Sequence, residues 1–279
     1  MEKGVKTAII GGSGLYTILE EPKREVLETP FGSTPQIEIG IIDGVEAAFL
    51  PRHAEPGRKE SGHHVPPHLV NYRANIYGLR MLGVERIIAS NTCGAINVDI
   101  KPASFVVLDQ FIDMTKGRKG TFYDGKTPIK VWRDKQPINK VVHVDVTQPF
   151  CTELRKALIH ACRKTEVFHF SKGTYICTGG PRFETPAEIK AFRVLGADVV
   201  GMTLVPESVL ARELSMCYAS LGLVTNWAAG ISKTKVTLKE VLENSKENIE
   251  KVREVFKRTV RAVPEMRKCD CRNTLNEVS

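Results

Sequence analysis

The sequence lacks the long apolar runs that a membrane protein or a secreted precursor needs. No run approaches the roughly 18 residues of a transmembrane helix. Residues 1–6 lead into a strand pattern without the hydrophobic region of a signal peptide. We therefore expect no membrane association and a cytoplasmic location. Internal repeats, low-complexity stretches and an interdomain linker are also absent, so the 279 residues predict one domain.

Zinc-type spacing of cysteine and histidine is absent as well. Four of the seven histidines lie between residues 53 and 68, but prolines break any helix that could align them. We therefore expect no metal site. Five of the seven cysteines lie in apolar segments, where a reduced, buried thiol is the default. These five are Cys93, Cys151, Cys162, Cys177 and Cys217.

The formal net charge of +8 leaves two classes of partner open, nucleic acid and a small anion. Lysine and arginine are mixed with acidic residues rather than massed, as in residues 246–261. No motif of basic and aromatic residues accompanies them. We therefore expect no nucleic-acid binding, and an ionic-strength series with an oligonucleotide tests that alternative.

The sequence does contain three strand-end motifs within residues 173–230. In each motif, glycine or small polar residues directly follow a run of β-branched or apolar residues. The motifs cover residues 173–185, 201–207 and 225–230. Because ligands bind at the carboxyl edge of an open α/β sheet, three polar turns at one edge predict a small-molecule pocket.

Polar and cationic residues also follow the strands predicted in the first half of the chain. The glycine-rich turn after the first strand contains Ser13. Its hydroxyl and the backbone N–H groups can hold an anion, and a plain tight turn is the alternative. Arg52 and His53 follow a later strand, and His63 lies in the loop beyond. Together they predict a site for an anion or a sugar hydroxyl. In such a site the guanidinium of Arg52 would bind phosphate through two N–H groups.

The remaining pattern alternates strands and helices. Strands are predicted over residues 37–42 and 45–50, joined by Asp43-Gly44, over 84–90 with Asn91 and Thr92 in the turn that follows, and over 104–113 and 141–146. Helices are predicted over residues 67–82, 149–162 and 237–263. The alternation predicts an α/β fold, a single-domain α/β/α sandwich. Residues 117–139 are predicted as a long loop, whose Phe122, Tyr123 and Trp132 suggest that a partner covers it.

Several short motifs in these elements resemble the trimeric purine nucleoside phosphorylase family. The similarity is to the branch that contains S-methyl-5′-thioadenosine phosphorylases, and within it to archaeal 6-oxopurine nucleoside phosphorylases. It covers nearly the whole chain. The motifs are residues 9–16, 50–53, 71–75, 109–113, 180–183, 201–203 and 205–207.

The resemblance implies an enzyme that splits a purine nucleoside with inorganic phosphate, with no metal or organic cofactor. It also implies a mixed, partly barrel-like central sheet and a homotrimer, or a homohexamer built as a dimer of trimers. The nucleoside phosphorylase domain would span residues 1–265, and residues 266–279 would form a tail. In that tail, Cys269-Asp-Cys271 resembles a pair that can close a disulfide in hyperthermophilic archaeal members. A frayed tail with two thiols is the alternative.

The resemblance also implies roles for individual residues, carried over by motif position. Phosphate would be surrounded by Ser13, Arg52, His53, Asn91, Thr92 and Thr203. The nucleoside would be bound by Phe183, Glu184, Met202, Asn226, Trp227, Ala228 and His63. Met202 would lie under the ribose and Phe183 against the purine. Asn226 and His53 would act in catalysis.

Two positions depart from the methylthioadenosine branch and favour a 6-oxopurine. Relatives that prefer 6-aminopurines have an aspartate at the position of Asn226. The amide of Asn226 can accept from purine N7–H and donate to the 6-oxo oxygen. Glu184 can accept from N1–H of hypoxanthine or guanine, whereas adenine N1 is itself an acceptor.

The sequence predicts a 6-oxopurine nucleoside phosphorylase, and other assignments remain open. A turn residue and a helix-start acid are the plain structural alternatives for Asn226 and Glu184. An S-methyl-5′-thioadenosine phosphorylase that tolerates Asn226 is the nearest functional alternative. A nucleoside hydrolase is more distant, because it would need an aspartate-rich calcium site that the sequence lacks.

Overall fold

The computed structural model describes residues 5–58, 62–131, 136–233 and 235–276. These residues form an eleven-stranded mixed sheet, a two-stranded sheet and five α-helices. The strands are β1 (Thr7–Gly11), β2 (Glu20–Glu25), β3 (Glu28–Thr29), β4 (Gly32–Ser33), β5 (Ile37–Ile42), β6 (Val45–Pro51), β7 (Arg86–Ala95), β8 (Phe105–Val107), β9 (Gln110–Asp113), β10 (His169–Phe170), β11 (Thr174–Cys177), β12 (Val199–Gly201) and β13 (Cys217–Trp227). The helices are α1 (Tyr72–Met81), α2 (Thr152–Lys164), α3 (Pro186–Val194), α4 (Leu204–Glu213) and α5 (Leu238–Ala262), and a short 3-10 helix spans Asp270–Asn273.

The sheet is organised around β1 and β7. β1 has a parallel neighbour on each side, β6 and β7. β7 pairs in parallel with β13 along almost its whole length, and its end also pairs antiparallel with β12. The sheet then continues through β11 to β9. The double pairing bends the sheet around the end of β7, which gives the mixed, partly closed sheet that was expected.

Side chains of the central strands alternate between two hydrophobic layers. In β1, Ala8 and Ile10 belong to one layer, and Ile9 belongs to the other. The first layer packs against α1 and α4, and the second packs against α2 and α5. This follows from the two-residue period of a strand. The predicted α/β/α sandwich is confirmed.

Two predicted elements are confirmed with their boundaries. β5 and β6 are joined by Asp43 and Gly44, whose φ angles of 49° and 77° are those of the expected tight hairpin turn. The helix predicted over residues 237–263 is α5, which begins after Thr237 accepts a hydrogen bond from the N–H of Glu240. No helix in the described ranges is both long and apolar enough to cross a membrane.

The turn predicted at Asn91 and Thr92 is wrong. Both residues lie inside β7, which continues to Ala95 because β13 and β12 pair with its end. Polar residues here signalled a turn, but β13 pairs directly with Asn91 and Thr92 and supplies their backbone with hydrogen-bond partners.

Three other predicted elements need correction. The strand predicted over residues 104–113 is two strands, β8 and β9, which pair with different neighbours. The strand predicted over 141–146 is absent from the described residues, although its period-2 pattern is real, because no neighbouring strand pairs with it. The helix predicted from residue 67 begins at Tyr72, after Asn71 caps it by accepting from the N–H of Ala74.

The long loop is packed against its own chain. Phe122 and Tyr123 are buried, and the Phe122 ring lies 5.1 Å from Phe31 and 5.8 Å from Tyr77. The Glu213 carboxylate accepts from the N–H of Phe122 at 2.7 Å. Phe122 and Tyr123 therefore do not require a partner to cover them, so these two residues give no reason to expect one. Trp132 lies outside the described residues.

The described part of the tail lies on the body of the protein. Arg86 donates to the carbonyls of Pro264 and Glu265, and Leu275 is buried. All seven cysteines are buried free thiols, as expected for the five in apolar segments. The disulfide expected between Cys269 and Cys271 is not confirmed.

Candidate active site

One cavity of about 390 Å³ lies at the carboxyl ends of β1, β6, β7, β11, β12 and β13. All three strand-end motifs of residues 173–230 contribute to its wall, so the predicted convergence is confirmed. Eleven of the thirteen residues predicted for the site line it: Ser13, Arg52, His53, His63, Thr92, Phe183, Glu184, Met202, Thr203, Asn226 and Ala228. Asn91 and Trp227 are not among the lining residues.

The two residues that the cavity leaves out make their contacts inside the protein. Thr92, Cys93 and Gly94 of β7 line the cavity, whereas the side chain of Asn91 bonds to Thr203 and Ser220. Asn226 and Ala228 likewise face the cavity, and Trp227 between them packs into the core. A motif carried over as a block of consecutive residues cannot make this distinction.

Asn91 holds another residue of the site in place. Its side-chain amide donates to the Thr203 hydroxyl at 2.9 Å and its carbonyl accepts from the Ser220 hydroxyl at 2.7 Å. Thr203 lines the cavity and is the N-cap residue of α4, where the positive end of the helix dipole lies. The geometry gives Asn91 a positioning contact with Thr203 rather than a place in the cavity wall.

The glycine-rich turn after β1 depends on a close backbone approach at Gly12. The N–H of Gly12 donates to the Ser90 hydroxyl at 2.9 Å. A Cβ at Gly12 would lie 2.9 Å from the Ser90 carbonyl oxygen and 3.1 Å from Nη1 of Arg52. Any side chain here would therefore push on the guanidinium. The next residue, Ser13, lines the cavity with its hydroxyl 3.1 Å from Nδ1 of His63.

The fork of Arg52 is occupied by a carboxylate of the protein itself. Nε and Nη2 of Arg52 both donate to Glu207, the second at 2.8 Å, and Nη1 donates to the Ser90 carbonyl at 3.0 Å. Burial opposes the charge on Arg52, but the Glu207 carboxylate outweighs burial and raises the pKa of the guanidinium. The Nε and Nη2 side of the fork is therefore not available to phosphate, and the expected bidentate grip would have to use the remaining N–H groups of Nη1 and Nη2. Three of the five N–H groups of an arginine are used here, which leaves two for the cavity side.

His53 and His63 form a stacked pair beside Arg52. Their ring centroids are 3.9 Å apart, with an interplanar angle of 15°. Nδ1 of His53 lies 2.8 Å from the Val65 carbonyl, which can only accept, so Nδ1 carries the proton. Burial, with His63 and Arg52 nearby, lowers the pKa of His53 to about 3. His53 is therefore neutral at pH 7, and its Nε2 is an acceptor.

Glu184 and Phe183 form the wall that follows β11. The Glu184 carboxylate accepts from the Thr178 hydroxyl at 2.7 Å, and burial raises its pKa. Phe183 is 38% exposed at the mouth of the cavity. Met202 lies against Gly180, where a Cβ would come within 2.6 Å of the Met202 sulfur.

Asn226 faces the cavity where β13 changes register. The pairing of β13 with β7 shifts between Val224 and Asn226, and Asn226 then lies opposite Gly94. The side-chain carbonyl of Asn226 accepts from the Thr225 hydroxyl at 2.9 Å, and its NH₂ donates to the Trp227 carbonyl at 2.8 Å. An amide has two lone pairs and two N–H groups. One acceptor site and one donor of Asn226 therefore remain for a ligand.

Arg118, on the long loop, does not line the cavity but supports its wall, and sequence reasoning missed this residue. Its guanidinium donates to the carbonyls of Met202 and Gly179 at 2.7 and 2.8 Å and to that of Thr178 at 3.2 Å. It also lies over the Tyr72 ring, 5.4 Å from the centroid. A single cation thus ties together two backbone segments of the cavity wall. No motif marks this residue, because its role depends on how the loop folds back.

An apolar wall at the start of α5 was also missed. Val236, Leu238, Val241 and Leu242 line the cavity together. Leu238 is 62% exposed and Leu242 is 42% exposed, although both face this opening. The helical spacing of the last three residues is the sequence signal that could have indicated the wall.

Known proteins resemble this chain both in sequence and in fold. A sequence model described as the phosphorylase superfamily matches residues 6–261. A probable 6-oxopurine nucleoside phosphorylase of Thermococcus kodakarensis is 48% identical over 274 residues, which cover 97% of each chain. An S-methyl-5′-thioadenosine phosphorylase of Thermofilum pendens is 48% identical over 280 residues, which cover 99% of each chain. Among solved structures, a methylthioadenosine phosphorylase from Schistosoma mansoni in complex with adenine has a TM-score of 0.82 and 34% identity, covering 92% of this chain and 91% of that one.

Proposed function

We propose that this chain, which belongs to the phosphorylase superfamily, is a purine nucleoside phosphorylase that cleaves 6-oxopurine nucleosides with inorganic phosphate. The products are the free base and ribose 1-phosphate, as in purine salvage. The observation that carries the proposal is Asn226, whose remaining acceptor and donor face a cavity at the carboxyl edge of the sheet.

Phosphate binds at the end of the cavity formed by the glycine-rich turn, β7 and the start of α4. Ser13, Thr92 and Thr203 offer hydroxyls there, and Arg52 offers its two remaining N–H groups. Asn91 acts through Thr203. The Arg52–Glu207 pair keeps the guanidinium charged and in place. Fixed donors and a fixed charge need little reorganisation when the nucleophile is held beneath the sugar.

The reaction transfers the sugar from nitrogen to oxygen. A phosphate oxygen forms a bond to C1′ while the bond from C1′ to N9 breaks, and the electron pair of that bond stays on the purine. The sugar is oxocarbenium-like in the transition state, so a phosphate held at C1′ stabilises it. Met202 lies under the ribose and Phe183 against the base.

His53 accepts a hydrogen bond, through Nε2, from the bound phosphate or from a ribose hydroxyl. Its Nδ1–H is fixed on the Val65 carbonyl, so only Nε2 faces other partners. Because the pKa of His53 is lowered to about 3, the ring is neutral and does not repel cationic charge developing on the sugar. His63 stacks on this ring and holds the Ser13 hydroxyl.

The 6-oxo edge of the purine is recognised by Asn226 and Glu184. The remaining N–H of Asn226 donates to the oxo oxygen, and its remaining lone pair accepts from a proton on N7. Glu184, fixed by Thr178, accepts from N1–H. Adenine offers an amino group and an acceptor at the corresponding positions, so both contacts would be mismatched. Mismatched buried polar contacts of this kind discriminate by orders of magnitude.

The apolar wall of α5 favours a methylthio group rather than a hydroxyl at the 5′ end of the substrate. Leu238 and Leu242 would pack against a methylthio group better than against a hydroxyl. This wall supports use of methylthioinosine. It also keeps S-methyl-5′-thioadenosine as the alternative substrate, which the donor of Asn226 disfavours.

The assembly and location follow from the resemblance to this family. The enzyme is a cytoplasmic homotrimer or a dimer of trimers. Residues 1–265 form the catalytic domain. A mass measurement that finds an active monomer at micromolar concentration would contradict the assembly.

The proposed function is tested by the phosphate-dependent release of base from inosine, guanosine, adenosine, S-methyl-5′-thioadenosine and methylthioinosine, assayed side by side. Inosine or guanosine, or methylthioinosine, should have the highest kcat/KM, and omission of phosphate should abolish release. Preference for S-methyl-5′-thioadenosine would instead identify the protein as an S-methyl-5′-thioadenosine phosphorylase. Release without phosphate would contradict both.

A further inference from the structure

Four cysteines from distant parts of the chain meet at one point. The sulfur atoms of Cys151, Cys217, Cys269 and Cys271 all lie within 4.8 Å of one another. The sulfurs of Cys217 and Cys269 are 3.4 Å apart. All four side chains are buried, and none of them lines the active-site cavity. We call this set the cysteine cluster.

Backbone contacts bring the cluster together. Cys151 is the N-cap residue of α2, and its N–H donates to the Tyr218 carbonyl at 2.8 Å, which fastens the start of α2 to the start of β13 at Cys217. In the tail, the N–H of Lys268 donates to Glu153 in the first turn of α2 at 3.0 Å. Arg267 donates to the Ser215 carbonyl at 2.9 Å. These contacts place Cys269 and Cys271 over the other two thiols.

The spacing of the sulfurs fits a metal ion better than disulfides. A tetrahedral zinc–thiolate site with Zn–S bonds of about 2.3 Å has sulfurs about 3.8 Å apart. A disulfide needs about 2.05 Å. The sulfurs of Cys217 and Cys269 are 3.4 Å apart and no pair exceeds 4.8 Å, which is compatible with the first value, and all four cysteines are free rather than disulfide-bonded.

We propose that the cysteine cluster is a structural zinc site that joins the tail to α2 and β13. Four thiolates are a soft ligand set that selects zinc over magnesium or calcium. Four protein ligands complete a tetrahedral shell and leave no position for a substrate, so the ion is structural. As the ion binds, the four thiols lose their protons to solvent and four Zn–S bonds form, with no change of oxidation state.

The surroundings of the cluster suit thiolates. Cys151 stands at the N-terminus of α2, a helix of 13 residues, and its side chain makes no capping hydrogen bond. The positive end of the helix dipole therefore lies next to the negative ligand set. The site would add to the contacts of Arg267 and Lys268 in holding the tail near residue 270 on the body.

The test is metal analysis of the full-length protein, purified under reducing conditions without chelator. We expect about one zinc ion per chain, the stoichiometry of a closed four-thiolate site. Replacement of zinc by cobalt(II) should give the visible absorption bands of a tetrahedral cobalt tetrathiolate. The Cys271→Ala and Cys151→Ala variants should lose the zinc. The matched control is Cys162→Ala, which changes a buried thiol of α2 outside the cluster and should keep it.

Two results would overturn the proposal. One is a reduced wild-type protein that takes up no zinc or cobalt when the metal is added. The other is a non-reducing peptide map in which cysteines of the cluster are joined to one another, as the resemblance implied for Cys269 and Cys271. Wild-type metal content decides the question even if a variant fails to fold. Because none of the four cysteines lines the cavity, failure of this proposal leaves the proposed enzyme activity untouched.

Discussion

At the residue scale, the site is defined by the hydrogen-bond donors and acceptors that stay free once each side chain has bonded to other groups of the protein. Arg52 has its fork on Glu207 and offers the cavity only what is left. His53 donates its Nδ1–H to the Val65 carbonyl, which leaves Nε2 as an acceptor. Asn226 keeps one donor and one acceptor. These free donors and acceptors, rather than the residue types, determine which ligand atoms the site can bind.

The Arg52–Glu207 pair should contribute strongly to stability because both side chains are almost fully buried. Glu207→Ala leaves a buried guanidinium without its partner, which typically costs about 3–5 kcal/mol of unfolding free energy. Urea denaturation measures the loss. Glu254→Ala is the control, since it breaks the exposed pair with Arg258 and should cost below about 1 kcal/mol. Equal losses in the two variants would contradict this account.

His53 should make stability depend on pH. Its pKa is about 3 in the folded protein and 6.5 in the unfolded chain, so only the unfolded chain takes up this proton in between. The stabilisation is present above pH 6.5 and is lost as the pH falls towards 3, by up to about 1.4 kcal/mol per pH unit. His53→Gln should flatten the slope of unfolding free energy between pH 6.5 and 5, though only in part, since the pKa of His63 is also lowered by burial. His160→Gln, at an exposed position on α2, is the control, and an unchanged slope in His53→Gln would refute the prediction.

At the scale of elements, the sequence correctly predicted the elements that depend on residues close together in the chain. The Asp43-Gly44 hairpin and α5 have turn and capping residues that act within a few positions. The prediction cut β7 short because Asn91 and Thr92 look like a turn, but β13 pairs with both residues and β12 pairs with the strand end, which keeps the strand extended. Pairing with distant strands is not encoded in a local window.

The long loop is the element whose role most exceeded prediction. Its aromatic residues were interpreted as a sign of a missing partner, but Phe122 packs against Phe31 and against Tyr77 of α1, and the Tyr123 hydroxyl donates to the Glu213 carbonyl. This packing places Arg118 where it can bind the carbonyls of two wall segments. The loop therefore belongs to the architecture of the site.

Removal of the Arg118 guanidinium should loosen the base end of the cavity. Arg118→Met removes the hydrogen bonds to the carbonyls of Thr178, Gly179 and Met202 while keeping an apolar stem. We expect the KM for nucleoside to rise about tenfold or more, the effect of losing one or two charge-assisted hydrogen bonds. The KM for phosphate should change little. Lys119→Met removes an exposed neighbouring cation as a control, and parallel effects of both variants on both substrates would show that only net charge matters.

At the scale of the whole molecule, strand order and chain folding create the sites. The three motifs of residues 173–230 could be placed on one edge from sequence, because the carboxyl ends of parallel strands share an edge. The ion pair between Glu207 and Arg52 could not be predicted in this way, because α4 brings Glu207 next to Arg52 only in the folded core. The cysteine cluster also escaped prediction, because its ligands come from three segments rather than from a Cys-x-x-Cys spacing.

The central claim is that the amide of Asn226 selects the 6-oxo edge of the purine. Asn226→Asp replaces the donor to the oxo oxygen with an acceptor. It should lower kcat/KM for inosine by roughly 10²-fold or more, as expected for a lost transition-state contact. The use of adenosine relative to inosine should rise, and the KM for phosphate should stay near the wild-type value because Ser13 and Thr203 lie on other elements.

The most direct measurement is therefore the ratio of kcat/KM for inosine to that for adenosine, in the wild-type protein and in Asn226→Asp. Glu184→Ala provides the matched comparison, because it should weaken inosine cleavage and leave adenosine nearly unchanged. The account predicts a ratio far above one in the wild type and a fall of two orders of magnitude or more in Asn226→Asp, by the lost contact to the oxo oxygen. A wild-type preference for adenosine, or a ratio that Asn226→Asp leaves unchanged, would contradict it.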